Sequence, residues 1–76
     1  MKMHWEEHRS GTVLSIAGEL LADDTDVLRR RCDERLEAGI RLVLDIRELD
    51  RIDSAGLEAM LWLHESIQRF GGQLRV

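Results

Sequence analysis

Cysteine occurs once in the 76 residues, at Cys32, and a lone thiol excludes an internal disulfide framework and a zinc site built from several cysteines. On a helical stripe it reads as a small core residue, and its solitude suits a reducing compartment. An excess of positive charge is also missing: the formal net charge is -4, which disfavours general attraction to nucleic acid or anionic lipid, since both need positive surface. The one basic run, Arg29-Arg30-Arg31, has Asp33 and Glu34 beside it and reads as a solvated helix face. No run of about 20 apolar residues occurs, and Met1 to Glu7 lacks the apolar stretch of a secretory signal, so a cytoplasmic location is expected.

Catalytic and metal-binding patterns are missing too. There is no glycine-rich loop ending in lysine, no Gly-x-Ser-x-Gly elbow and no histidine pair at metal-binding spacing. His4 and His8 are four apart in a strand-like segment, which separates them along one face and supplies no third ligand. They read as solvated histidines. His64 lies on an apolar helical stripe and reads as a semi-buried histidine, and no base is assigned to any serine, as nucleophilic catalysis would require. No enzyme activity, metal or cofactor is expected.

What is present is an ordinary globular composition, 43% hydrophobic and 34% charged, in one small domain spanning residues 1–76. A chain of this size buries only about 60% of the surface its unfolded form exposes, so the core is thin. Met3 to Arg9 and Thr12 to Gly18 flank Ser10-Gly11 and read as an antiparallel hairpin with Leu14 and Ile16 on one face. Asp23 to Ala38 carries Leu28, Cys32 and Leu36 at helical spacing, with carboxylates at its start and Gly39 as its stop. Ile40, Leu42, Val43, Leu44 and Ile46 form a nearly continuous apolar run, the pattern of a parallel strand covered on both faces.

A second helix is expected from Ser54 to about Phe70, with Leu57, Met60, Leu61, His64 and Ile67 on one face and Ala59, Leu63 and Phe70 widening it. Gly71-Gly72 supplies its C-terminal cap, and Gln73 to Val76 opens another strand. The order β-β-α-β-α-β defines an α/β layered fold with a mixed sheet, the later strands parallel through right-handed crossovers.

Between the apolar strand and the second helix lies Ile52-Asp53-Ser54-Ala55-Gly56-Leu57. On the residues alone, Asp53 and Ser54 are helix-capping types, worth about 1 kcal/mol in that role. A serine at a helix mouth equally faces unpaired N–H groups and the positive end of the dipole, a setting that tolerates a phosphate. Gly56 reads either as a point of close partner approach or as a tight backbone position.

Leu42-Val43-Leu44-Asp45, then Asp53-Ser54-Ala55-Gly56-Leu57, then Gly71-Gly72-Gln73-Leu74, with Gly18-Glu19-Leu20 upstream, resembles the STAS domain of anti-sigma factor antagonists over nearly the whole chain. The resemblance implies a STAS-like layered fold, here without the further helix, strand and final helix with which the family usually continues. It implies that Ser54 is phosphorylated by a partner serine kinase that is also the anti-sigma factor. Asp53, Ser54, Ala55, Gly56, Leu57 and Glu58 form the expected partner-binding surface, with Trp62 either a further contact or a cover for core. In the unmodified state this surface binds the kinase and frees the sigma factor. A phosphate, bringing roughly -1.5 to -2 charge, releases it, and the ATP belongs to the kinase. The resemblance also permits a second role, as an accessory subunit of a membrane lipid or anion transport system that binds a transporter ATPase or permease without phosphate. One departure from the family pattern concerns the acidic residue after Gly-Glu-Leu: Leu21 stands there, and Asp23 or Asp24 is the expected spatial replacement.

Overall fold

The computed structural model describes residues 1–76. Strands β1 (Lys2–His8) and β2 (Gly11–Leu20) form the expected antiparallel hairpin around the turn at Arg9 and Ser10. A 3₁₀ turn over Ala22–Asp24 leads into helix α1 (Thr25–Asp33), followed by strand β3 (Arg41–Asp45), strand β4 (Leu49–Ile52), helix α2 (Ser54–Arg69) and strand β5 (Gln73–Arg75). β3 runs parallel to β2, and β5 parallel to β3, giving the order β1-β2-β3-β5. The sheet is therefore mixed, as the sequence implied.

The strand β4 is absent from the expected order. It pairs in parallel with the last residues of β2, Gly18 to Leu20, with a register shift between Gly18 and Glu19. β2 thus serves two neighbours in turn, β3 along Thr12–Ser15 and β4 at its end. Only four residues long and carrying the exposed Asp50 and Arg51, β4 gives too short an alternation to be read as a strand.

Leu14, Ile16, Leu20, Leu42 and Leu44 from the sheet meet Leu28 and Cys32 of α1 and Ala59, Leu63 and Ile67 of α2 in one buried cluster. Both helices therefore lie on the same face. Residues alternate across a strand, so Val43, between two buried leucines, points to the opposite face and is 40% exposed. The expectation that β3 is covered on both faces fails for this reason: the architecture has two layers, and parallel pairing does not impose a third.

Helix α1 is also shorter than the span to Ala38. It ends at Asp33, after which Arg35 and Leu36 both donate to the Cys32 carbonyl, a tightening of the final turn. Leu36 still packs against the core from this looser segment. At the end of α2, Gly71 takes φ +70° and Gly72 donates to the Ile67 carbonyl, the left-handed stop expected of Gly71-Gly72.

Candidate functional site

The C-terminal ends of β2 and β4 converge on the first turn of α2. Asp53 is the N-cap residue of α2, in an extended conformation. Its Oδ1 accepts a hydrogen bond from the Gly56 N–H at 2.8 Å, and its Oδ2 accepts one from the Ala22 N–H at 2.9 Å. These bonds hold the Asp53 carboxyl below its ordinary value, the Gly56 bond contributing most and burial opposing it. One carboxylate therefore joins two segments 31 residues apart in sequence.

Ser54 is the first residue of α2 and is exposed. Its hydroxyl takes part in none of the side-chain hydrogen bonds of the chain. Of the two readings of the helix mouth, the capping one holds for Asp53, whose carboxylate accepts from the Gly56 N–H of the first turn. A group added to Ser54 would stand beside a negative charge instead of replacing one.

Gly56 is buried. A Cβ at this position would run into the Leu20 carbonyl and lie 2.7 Å from Ile52 Cγ1, so the glycine lets α2 seat against the ends of β2 and β4. Of its two readings, its burial and close contacts fit the tight backbone position. Ala55 is half-buried, whereas Leu57 and Glu58 are exposed with Ser54.

The remaining residues of α2 correct the expected burial. The buried face carries Gly56, Ala59, Leu63, Ser66 and Ile67, while Leu57 and Leu61 are 54% and 61% exposed. His64 is exposed as well, not semi-buried, and Phe70 is exposed. Small residues at Gly56, Ala59 and Ser66 let the helix approach the sheet and α1, which turns the larger Leu57 and Leu61 outward. Together with Met60, His64, Leu44, Leu74 and Val76 they line a shallow apolar groove. Trp62 is half-buried, packs against the core, and lies 5.8 Å from the Arg29 guanidinium across the seam between the helices. At i+4 from Glu58 and i+8 from Ser54 it continues their stripe along α2, with part of its surface left exposed.

Of the two residues expected as the spatial replacement, Asp24 is engaged within its own turn and by the N-terminus. Its Oδ2 accepts from the Leu21 N–H at 3.0 Å and its Oδ1 lies 4.0 Å from the N-terminal amine. Asp23 is exposed. The contact from this loop to the Ser54 turn is made by the Ala22 backbone, a group no side-chain motif could have revealed. Elsewhere, His4 and His8 are exposed and both reach the Glu6 carboxylate, at 3.5 and 3.3 Å. Glu19 of the Gly-Glu-Leu segment pairs with Arg51 at 3.3 Å on the surface. No helix is long and apolar enough to cross a membrane.

This two-layer fold is shared with known proteins. The family model described as "Mlab, STAS domain" matches residues 3–76, and the chain belongs to the STAS domain family. An anti-sigma F factor antagonist of Paenibacillus polymyxa is 28% identical over 78 residues, covering 100% of this chain and 67% of that protein. The solved structure of the anti-sigma factor antagonist SpoIIAA in its unphosphorylated form superposes with a TM-score of 0.73 at 16% identity, over 96% of this chain and 69% of that one. At that identity the two share the fold.

Proposed function

We propose that this protein is an anti-sigma factor antagonist whose unphosphorylated form binds a serine-kinase anti-sigma factor and releases the sigma factor, with phosphorylation of Ser54 switching the binding off. The observation that carries this reading is the placement of Ser54: exposed, first in α2, its hydroxyl unengaged, on a turn fixed on both sides. The relative from Paenibacillus polymyxa, named as an anti-sigma F factor antagonist, supports the same class. The chain is then a cytoplasmic binding module, and the ATP is the kinase's.

The switch is electrostatic. A phosphate on Ser54 adds roughly -1.5 to -2 charge between the Asp53 carboxylate and the exposed Glu58 one turn on. The Asp53 carboxylate already places a negative charge on the Gly56 N–H of this helix end, so the phosphate adds to a charge that the docked partner must face. Moving a binding equilibrium from nearly full to nearly empty needs about 5.5 kcal/mol, and a dianion that loses its water in a close contact is a source of that order. Exposed Leu57 and Leu61, following Ser54 along the helix, supply apolar area for the unmodified contact.

The test is incubation with the serine-kinase anti-sigma factor and ATP, followed by mass spectrometry of the peptide containing Ser54. Phosphate on Ser54, its loss in Ser54→Ala, and weakened binding of the phosphorylated chain are expected. Retention of full affinity after phosphorylation would overturn the switch.

A second reading, a STAS accessory subunit docking on a transporter ATPase or permease, draws on the same occupied helix mouth: with Asp53 in place, the turn and the apolar groove form a docking face that needs no phosphate. Binding to such a partner that is identical for wild type and Ser54→Asp would select it.

A further inference from the structure

We infer that Asp53 acts as a positioning residue, latching the loop after β2 onto the first turn of α2, and makes no direct contact with the partner. The inference rests on the reading of Ser54 given above and specifies how its surface is built. Both carboxylate oxygens of Asp53 are committed inside the chain, one to Gly56 in α2 and one to Ala22 at the start of the 3₁₀ turn. A carboxylate so engaged has its strongest acceptor directions turned inward.

The end of β2 is tied to the helix entry by a backbone bond, Asp53 N–H to the Leu20 carbonyl at 3.3 Å, and beyond it the Ala22–Asp53 bond is the side-chain bond that reaches from the 3₁₀ turn to α2. The 3₁₀ turn Ala22–Asp24 contains no buried residue, so no apolar side chain anchors it in the core. Its internal bonds, Leu21 N–H to Asp24 Oδ2 and Asp24 N–H to the Leu21 carbonyl, shape the turn without tying it to α2. The Ala22–Asp53 bond does tie it there. The close seat of Gly56 on the Leu20 carbonyl brings the two segments within reach of that one carboxylate. The exposed Ala22 and Asp23 are thereby held beside the residue that precedes Ser54, as a second segment next to the helix entry.

Two substitutions separate the latch from the helix cap and from a direct contact. Asparagine caps helices about as well as aspartate, but it has one carbonyl oxygen; in Asp53→Asn the oxygen retains Gly56 and the amide –NH₂ confronts the Ala22 N–H. Ala22→Pro removes the donor and leaves Asp53 untouched. Leu21 already has φ -116° and ψ 176°, the extended conformation that a residue before proline favours, so the backbone accommodates the change.

Amide hydrogen exchange on the full chain reads the loop without any partner. In both variants the Leu21 and Asp24 amides are expected to exchange about tenfold faster while Gly56 changes less than about threefold, the pattern of local opening without loss of the helix. Affinity for the serine-kinase anti-sigma factor is expected to fall by a similar factor in both. Unchanged exchange in both variants overturns the latch. Weakened binding in Asp53→Asn with full binding in Ala22→Pro overturns it equally, because that result assigns the carboxylate to the partner. If the wild-type chain neither binds the kinase nor accepts phosphate, the reading of Ser54 fails, and the exchange rates alone decide the latch.

Discussion

Helix α2 carries leucines on opposite sides, and they meet opposite fates. Leu63 is 1% exposed, against the sheet and α1, while Leu61, two residues earlier, is 61% exposed. Hydrophobicity does not distinguish them. What does is the size of their neighbours along each stripe: Gly56, Ala59 and Ser66 lie with Leu63 and Ile67 and permit close approach, whereas Leu57 and His64 accompany Leu61. A helix with apolar residues on both sides is seated by its small residues, and the large apolar ones left over become the surface available for recognition.

The largest expected effect breaks this contrast directly. Leu63→Ala should cost about 2–5 kcal/mol, the range for truncating a buried leucine, a large share of the roughly 5–15 kcal/mol that stabilises a typical domain. Leu61→Ala should stay within about 0.5 kcal/mol of wild type, as surface substitutions do. Urea unfolding of the two variants measures both, and equal losses would show that the outward stripe is buried in solution.

A second substitution tests whether small size is what seats the helix. Gly56→Ala puts a methyl group into the Leu20 carbonyl and beside Ile52 Cγ1, and overpacking of this kind costs about 1–3 kcal/mol. The usual gain in helix propensity of alanine over glycine, about 1 kcal/mol, opposes it. Net destabilisation in urea, with the exchange of the Leu20–Asp24 amides speeded, is expected; a stabilised protein would mean that the approach of α2 to β2 is not close.

These contrasts mark how far the sequence could be read. The hairpin, the mixed order of the strands, the Gly71-Gly72 stop and the aspartate-serine opening of α2 were all legible, because each depends on local chemistry: turn residues, alternation, caps. The buried sides of α2 and of β3 were not, because they depend on what packs against them. Val43 sits in an apolar run and yet faces away from the helices, since only one layer covers the sheet. At the site, Asp53 and Ser54 were visible as side chains, but the second anchor of the turn is the Ala22 backbone N–H, which every non-proline residue possesses and which therefore leaves no mark in a sequence.

Cys32 offers a smaller-amplitude check on the buried side. It is fully buried on α1, and burial, with the nearby Asp33 charge adding to it, pushes its thiol up to about 12. Only the thiolate reacts readily, so a thiol reagent at neutral pH should label the native chain negligibly and one site per chain in denaturant. Prompt labelling of the native protein would place α1, with its partner α2, in a looser arrangement than the one described.

The smallest effect concerns pH and sharpens the comparison between the helix mouth and the rest of the surface. The Asp53 carboxyl is held below its ordinary value, first by the Gly56 N–H and then by the Ala22 N–H. A carboxyl with a folded-state pKa below its unfolded one contributes stability that is fully present above the unfolded value and is lost as pH falls through the folded one. Asp45 is shifted in the same direction by its bonds to Arg47, so a wild-type acid titration alone does not isolate Asp53. The difference between wild type and Asp53→Asn does: in urea midpoints followed from roughly pH 6 down to pH 3, the gap between them should narrow as the acid range is entered, while the Asp45 contribution cancels. A gap that stays constant across that range would mean that the charge on Asp53 contributes nothing to holding the loop and the helix together, leaving only the shape of the side chain.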